Sequence, residues 1–192
     1  MDFSTRRGAE ADIPACAAID DSIATDRVLL LDIAGEAPEH RVTLSWQQTK
    51  PAGSSRRLIN ARDELAAAVA ASERFWVAEL DGRPAGFLLL NRQSWHPTTG
   101  DIYDIAVDRP YRGRGVGSAL VDVMKDYARR AGLRGVFWEA QTDNFDAISF
   151  ALRRGFRFAG FNDSSYQSDN IALQRDASFR GIAIYLYWTA PS

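Results

Sequence analysis

The sequence contains very few residues of the types that hold metals or form cross-links. In 192 residues it has one cysteine, Cys16, and two histidines, His40 and His96. A single cysteine excludes an intramolecular disulfide, and so few sulfur and imidazole ligands argue against a zinc centre. The only lysines are Lys50 and Lys125, and neither stands after a glycine as the lysine of a P-loop does. We therefore expect no metal and no P-loop.

The chain also lacks a long apolar run and a strong charge of either sign. No stretch approaches the ~20 apolar residues that a membrane helix needs. Residues 1–5 lack the basic-then-apolar pattern of a signal peptide. The net charge of −2 argues against sequence-independent DNA binding, which needs a broad basic face. We expect a cytoplasmic protein that contacts neither membrane nor nucleic acid.

What the sequence does contain is the composition of an ordinary enzyme. It is 46% hydrophobic and 25% charged, which suits one α/β domain, residues 1–192, with a sizeable core. Alternating and helical patterns predict antiparallel strands first and then a β-α-β crossover in a mixed sheet. The predicted strands are 3–6, 27–33, 40–48, 75–80, 84–92, 102–107, 135–140, 157–161 and 182–188, and the predicted helices are 10–23, 63–72, 116–131 and 147–153.

The most informative segment is Tyr111 to Ser118, with the sequence YRGRGVGS. It follows the predicted strand 102–107 and opens the predicted helix 116–131. Its glycines leave consecutive backbone N–H groups uncovered at the positive end of the helix dipole, beside two arginines, Arg112 and Arg114. Such donors form a receptor for a phosphate or pyrophosphate. A Rossmann fingerprint would need glycine where Ser118 stands, so that alternative fails.

Arg112, Gly115 and Gly117 match the pattern R-x-x-G-x-G, which resembles the acetyl-CoA pyrophosphate loop of the GNAT superfamily of N-acyltransferases. The preceding residues 105–111, IAVDRPY, look like that family's fourth strand and its exit. Residues 144–150, NFDAISF, and 154–156, RGF, look like its next strand-to-helix segment. The resemblance covers roughly the C-terminal half of the chain.

A narrower resemblance is also visible. Residues 102–107, IYDIAV, and 138–141, WEAQ, are similar to streptothricin acetyltransferases, and so are residues 160–163 and 182–188 of the tail. Those enzymes acetylate the amine of an antibiotic's lysine-like arm. The resemblance implies transfer of an acetyl group from acetyl-CoA to a primary amine of a small cationic molecule, with antibiotic resistance as a role.

The resemblance also implies a fold and a cofactor site. The fold is α/β (α+β): a mixed, mostly antiparallel central sheet, splayed at the acetyl-CoA site and flanked by helices. Family members often pair through their C-terminal strands, and the apolar run 182–188 would permit a homodimer. Acetyl-CoA binding falls to Ile105, Ala106, Val107, Arg112, Gly113, Arg114, Gly115, Val116, Gly117, Ser118 and Asn144.

An ammonium cannot attack a thioester, so the site needs a proton acceptor, and Asp104 and Glu139 are the candidates. Each lies in an apolar strand facing the predicted splay, where partial burial would raise the pKa of a carboxyl group. Either could instead bind the cationic amine while a water chain removes the proton. Strand periodicity places Asp104 and Ala106 on one face of the sheet and Tyr103 and Ile105 on the other.

One position departs from the family pattern. The tyrosine that usually protonates the leaving thiolate is replaced by Ala151. A thiol is a tolerable leaving group near its own pKa, so transfer can proceed without this acid, and Tyr111 or Tyr166 could substitute. Asn144 stands after a strand and before a helix, as an N-cap does, and in the resembled family it also reaches the pantetheine.

Two other functions remain open from the sequence. A non-catalytic CoA-binding sensor or interaction module would keep the pocket and lose the chemistry, and Ala151 favours it. A protein or peptide N-acetyltransferase would need an open peptide groove, which loop lengths do not settle.

Overall fold

In a computed structural model of the protein, the structure describes residues 3–23, 25–36, 38–52, 62–94, 96–162 and 182–191. The strands in these ranges are β1 (Phe3–Arg7), β2 (Thr25–Ala34), β3 (Arg41–Ala52), β4 (Arg74–Leu80), β5 (Arg83–Gln93), β6 (His96–Val107), β7 (Gly135–Gln141), β8 (Arg157–Asn162) and β9 (Ala183–Thr189). The α-helices are α1 (Ile13–Ala17), α2 (Arg62–Ala71), α3 (Val116–Arg130) and α4 (Phe145–Arg153). None of the helices within these ranges is both long and apolar enough to cross a membrane.

Seven strands form one sheet in the order β1-β4-β5-β6-β7-β9-β8, and β2 and β3 form a separate two-stranded ribbon. Strands β1, β4, β5 and β6 pair antiparallel in succession, whereas β6 and β7 pair in parallel. The connection between β6 and β7 runs through α3, which is the predicted crossover. The predicted mixed, mostly antiparallel sheet is thus confirmed. The apolar composition of β9 is explained by its place between β7 and β8, so the homodimer stays a prediction.

The chain divides into two compact units that interleave in sequence. The first comprises Met1–Ser22, Arg56–Trp138 and Tyr187–Ser192, and the second comprises Ile23–Ser55 and Glu139–Leu186. The first unit carries β1, β4, β5 and β6 with α1, α2 and α3. The second carries the β2–β3 ribbon, α4 and β8. The single domain expected over residues 1–192 stays a prediction.

In the first unit, α1 and α2 cover one face of the strands. Their buried residues form a cluster with apolar side chains of β4, β5 and β6: Ile13, Cys16, Ile19, Leu65, Ala68, Phe75, Val77, Phe87, Leu89 and Ala106. Helix α3 packs with its own buried stripe of Val116, Leu120, Val121, Met124 and Ala128, which repeats at helical spacing.

Gly86 on β5 permits the close approach of α3. A Cβ atom at Gly86 would lie 2.8 Å from the carbonyl oxygen of Ala106 and 3.1 Å from Cγ1 of Val116. Only a residue without a side chain lets the first turn of α3 pack this closely on the sheet. The N-terminus of α3 is therefore fixed beside the end of β6.

The first helix is much shorter than the pattern predicted. In place of a helix over 10–23, a 3₁₀ turn at Glu10–Asp12 precedes α1, which ends at Ala17. Beyond it the backbone of Asp20 bonds to the segment that follows β6. Its carbonyl accepts from the N–H of Arg109 at 3.0 Å, and its N–H donates to Oδ1 of Asp108 at 3.1 Å. These tertiary bonds replace the helical ones that residues after Ala17 would have made.

In the second unit, β2 and β3 present one apolar face. The cross-strand pairs on this face are Leu29–Trp46, Leu31–Leu44 and Ile33–Val42. The Trp46 ring meets the Phe145 ring of α4 edge-on, with centroids 4.7 Å apart. The N–H of Leu29 donates to the carbonyl of Thr142 at 2.8 Å. The ribbon therefore contacts α4 through Trp46 and is hydrogen-bonded to the β7–α4 turn through Leu29.

Candidate active site

The connection from β6 to α3 is a tight path that depends on two glycines. A 3₁₀ turn at Arg109–Tyr111 follows the strand. Gly113 has φ +71° and Gly115, the N-cap of α3, has φ +91°. Both values lie in the left-handed region, where side chains are strained. The two glycines therefore set the direction in which α3 starts.

The first turn of α3 has backbone N–H donors that no helical carbonyl can accept. The first bond of the helix runs from the N–H of Ala119 to the carbonyl of Gly115 at 3.0 Å. The N–H groups of Val116, Gly117 and Ser118 come before it, so helix geometry gives them no i−4 partner. Among the described residues, no side chain caps this end. With the positive end of the helix dipole, these donors make an anion site.

The guanidinium of Arg112 already donates to three backbone carbonyl groups. Its Nε donates to the carbonyl of Val107 at 3.0 Å, its Nη1 to that of Ser22 at 2.7 Å, and its Nη2 to that of Asp20 at 3.1 Å. Its backbone N–H donates to Arg109 at 3.3 Å. Arg112 therefore fixes the end of β6 to the segment after α1. The predicted phosphate contact of its donors would compete with these bonds.

A β-bulge interrupts β6 in front of the predicted cofactor segment. On β5, Leu90 pairs with Ile102 and the preceding Leu89 pairs with Asp104, so Tyr103 is the extra residue. Its side chain is 48% exposed. Bulges bend a strand and redirect a side chain, and they are frequent beside active sites. Periodicity alone could not reveal this bulge.

Downstream of the bulge the predicted alternation holds. Asp104 lies opposite Leu89 and Ala106 lies opposite Phe87, so both are on the face that α1 and α2 cover. Ala106 is buried and Asp104 is partly buried. The prediction that Asp104 and Ala106 share a face, with partial burial of the carboxylate, is confirmed.

The last residues of β6 pair with β5. Strand β5 stays in register with β6 up to the Gly86–Val107 pair. Within the first unit, the parallel register with β7 runs from Thr99–Gly135 to Ile102–Trp138. Ile105, Ala106 and Val107, the residues predicted to align the extended arm of the cofactor, form the end of β6 that leads into the glycine path.

Glu139 and Asn144 belong to the second unit. Glu139 stands between Trp138 and Ala140, which are 5% and 6% exposed, and it is itself exposed. The alternation of β7 turns it to the opposite face, so the partial burial expected for Glu139 is wrong. Asn144 is the N-cap of α4, and its Oδ1 accepts from the N–H of Ala147 at 3.0 Å. The predicted cap is confirmed, and the Nδ2 hydrogens remain as donors.

Asp143 is a residue whose environment the sequence did not reveal. Oδ1 of Asp143 is buried and has no hydrogen-bond partner within the described structure. Burial raises the pKa of the carboxyl group, and a bond from its own backbone N–H opposes this rise. The only sequence signal was its place after an apolar strand and before the cap Asn144.

Ala151, where the resembled family has its tyrosine, is fully buried. Of the two tyrosines that could substitute, Tyr111 ends the 3₁₀ turn and is partly buried. Tyr166 lies outside the described residues. No group of three or more histidine, cysteine, aspartate or glutamate side chains is arranged for a metal in the ranges that the structure covers.

Comparison with known proteins identifies the family of this chain. The profile of the acetyltransferase (GNAT) family matches residues 39–156. The chain is 27% identical to a streptothricin acetyltransferase from Streptomyces lavendulae over 165 residues, which are 86% of this chain and 87% of that protein. It is 36% identical to an uncharacterised N-acetyltransferase from Methanocaldococcus jannaschii over 87 residues, 43% of this chain and 38% of that protein.

Solved structures agree on the fold. A nourseothricin acetyltransferase superposes with a TM-score of 0.76 and 25% identity, covering 98% of this chain and 99% of that one. A Bacillus anthracis protein crystallised with acetyl coenzyme A gives a TM-score of 0.73 at 24% identity, covering 98% of both chains. The predicted fold class is confirmed by these likenesses.

Proposed function

Since this chain belongs to the acetyltransferase (GNAT) family and is thus an acyltransferase that uses acetyl-CoA, we propose that it transfers the acetyl group to a primary amine of a small cationic molecule. The observation that carries the proposal is the start of α3. Three N–H groups without helical partners, on a path shaped by two left-handed glycines, stand directly after strand β6. The family's donor has this form, a pyrophosphate followed by an extended arm.

The residues at the end of β6 and the start of α3 would bind the acetyl donor, acetyl-CoA. The N–H groups of Gly113 through Ser118, with the Arg114 side chain, hold the pyrophosphate. The pantetheine arm aligns along Ile105, Ala106 and Val107 by backbone bonds. The Nδ2 hydrogens of Asn144 bond an amide carbonyl of the arm while Oδ1 keeps its cap. Bound in this way, acetyl-CoA supplies an activated acyl group, and positioning alone contributes several kcal/mol to the rate.

The proton of the acceptor ammonium passes to a carboxylate. Asp104 is the first candidate for this proton acceptor because it is partly buried and follows the bulge in β6. Glu139 is the second candidate because it is exposed. Ala151 supplies no acid, so the departing thiolate takes its proton from water, which a thiol pKa near 8.5 permits.

The acceptor class is inferred from the names of two relatives and from the charge of the chain. The names of two relatives contain streptothricin, from Streptomyces lavendulae and Escherichia coli. A streptothricin-like antibiotic is therefore the first acceptor to test, and its inactivation in the cytoplasm would confer resistance. The mildly acidic chain, with net charge −2, suits a cationic acceptor.

One assay tests the whole proposal. The protein is incubated with acetyl-CoA and, separately, streptothricin, an aminoglycoside, a polyamine and a short peptide, and acceptor masses are recorded. We expect the mass of one acetyl group on a cationic small molecule. Asp104→Asn should lower kcat at least tenfold with acetyl-CoA affinity retained, and Glu139→Gln should lower it less. Acetylation of the peptide alone, or of nothing while acetyl-CoA binds, would refute the proposed acceptor.

A further inference from the structure

Tyr103 is exposed at a place where a strand residue is normally covered. β6 is the middle strand of the seven-stranded sheet. Two other residues of this strand, Ile102 and Ala106, are each 4% exposed, whereas Tyr103 is 48% exposed. A large ring left in solvent gives up the free energy that burial would provide. About half of this large aromatic residue is therefore accessible to a ligand.

The bulge explains why the ring is open. Tyr103 has no residue opposite it on β5, because Leu90 pairs with Ile102 and Leu89 with Asp104. The extra residue is freed from strict alternation, and its side chain is redirected. The face of an aromatic ring attracts an ammonium ion through the quadrupole of the ring.

The position of Tyr103 also matches the place where an acceptor must approach the acyl group. This inference rests on the proposed function. Tyr103 lies four residues before Val107, about 13 Å along the strand. A donor held by its pyrophosphate at α3 and aligned along Val107 and Ala106 extends its acyl end back toward Asp104 and Tyr103. The acceptor amine has to approach that end.

We propose that the exposed ring of Tyr103 is the specificity element for the acceptor: it binds the alkylammonium group of a flexible amine by a cation–π contact. The residue acts in binding and not in proton transfer. A quaternary ammonium analogue of the acceptor, which carries the charge but no transferable proton, is recognised by the same ring and inhibits competitively.

The test compares variants with the acceptor found in the mass assay and its trimethylammonium analogue. Tyr103→Leu should raise the acceptor KM and the analogue's Ki about 3- to 30-fold, the range of a partly desolvated cation–π contact. Tyr103→Phe should raise both less, because its ring face remains. The acetyl-CoA Kd should stay unchanged in both, which also reports correct folding. Phe158→Leu, a change at a 41% exposed ring on β8, is the matched control and should alter nothing.

Two results would overturn the proposal. Unchanged acceptor KM and analogue Ki in Tyr103→Leu would show that the ring does not touch the acceptor. A fall in kcat with unchanged KM in Tyr103→Phe would show that the hydroxyl acts as a proton donor. Failure of the proposed function is distinguishable, because the unmodified protein would then acetylate no amine in the panel.

Discussion

At the scale of single residues, Asp143 carries a desolvation cost that the bond from its own backbone N–H offsets only in part. Its Oδ1 is buried and has no hydrogen-bond partner among the described residues, and desolvation raises the pKa of the carboxyl group above its usual value. The folded protein therefore holds this proton more tightly than the unfolded chain does. The associated stability is fully present below the unfolded pKa of about 3.9 and is lost as the pH rises through the folded pKa.

Asp143→Asn should therefore stabilise the protein at neutral pH. Removing the charge relieves the desolvation, and we expect a gain of about 1 kcal/mol in the free energy of unfolding at pH 7, with a smaller gain at pH 4. Urea unfolding at both pH values measures it. Asp32→Asn, at an exposed position of β2, is the control and should change little. A loss of stability at pH 7 would mean that the carboxylate has a favourable partner in solution.

Arg112 shows what a motif can and cannot predict at this scale. The pattern R-x-x-G-x-G correctly indicated the loop, its glycines and the helix that follows. Its prediction of Arg112 among the phosphate ligands stays a prediction, and it did not reveal that the guanidinium donates to Val107, Ser22 and Asp20. Two of those carbonyls lie about ninety residues earlier in the chain. Which backbone carbonyls surround an arginine is a property of tertiary packing, so local spacing cannot contain it.

At the scale of elements, two helices begin in different ways. α3 starts at a left-handed glycine, and no side chain of the described residues caps it, so its first N–H groups have no helical or capping partner there. α4 starts at Asn144, whose Oδ1 takes one of the orphan donors. An uncapped start suits a ligand that brings its own acceptor oxygens, whereas the capped start of α4 leaves the amide hydrogens of Asn144 to act.

The two roles of Asn144 can be separated by substitution. Asn144→Asp keeps an oxygen for the cap and removes the Nδ2 donors, so the free energy of unfolding should hold while acetyl-CoA affinity falls, by about fivefold or more for one lost hydrogen bond. Asn144→Ala should lose about 1 kcal/mol of stability as well. Calorimetric titration and thermal unfolding measure the two effects. Full affinity in Asn144→Asp would remove Asn144 from the cofactor contacts.

Element boundaries were predictable where the pattern is local. The hairpins, the start of α3 at Val116 and the parallel strand β7 agree with the sequence because glycines and alternation specify them. The early end of α1 was not predictable, since the bonds of Asp20 to Asp108 and Arg109 come from a distant segment. The bulge at Tyr103 was not either, because its neighbours Ile102 and Asp104 alternate normally in sequence.

At the scale of the whole molecule, the relatives that match this chain are named after different acceptors. The names of similar proteins contain streptothricin, mycothiol and L-2,4-diaminobutyric acid. All match this chain, and the residues that carried the resemblance lie from 102 onward. The family profile matches residues 39–156, which include the glycine loop and α3. We propose that the choice of acceptor depends on side chains such as Tyr103, whose exposure no motif reports.

Binding of the donor should be visible in the stability of the entire chain. A ligand that binds only the folded state at ~100 times its Kd adds about 2.7 kcal/mol, which for a protein of this size raises Tm by roughly 5–10 °C. Acetyl-pantetheine lacks the pyrophosphate and should give a much smaller rise at equal concentration. Differential scanning fluorimetry compares the two ligands.

The control for that experiment is Gly117→Val, which places a side chain among the N–H groups at the start of α3 and should abolish the shift with acetyl-CoA. The variant's own Tm without ligand shows whether the helix still forms, since a β-branched residue replaces glycine in a helix at little intrinsic cost. Equal shifts with acetyl-CoA and acetyl-pantetheine would mean that the pyrophosphate contributes nothing. The anion site would then have to be moved away from α3, although the family and the fold would stand.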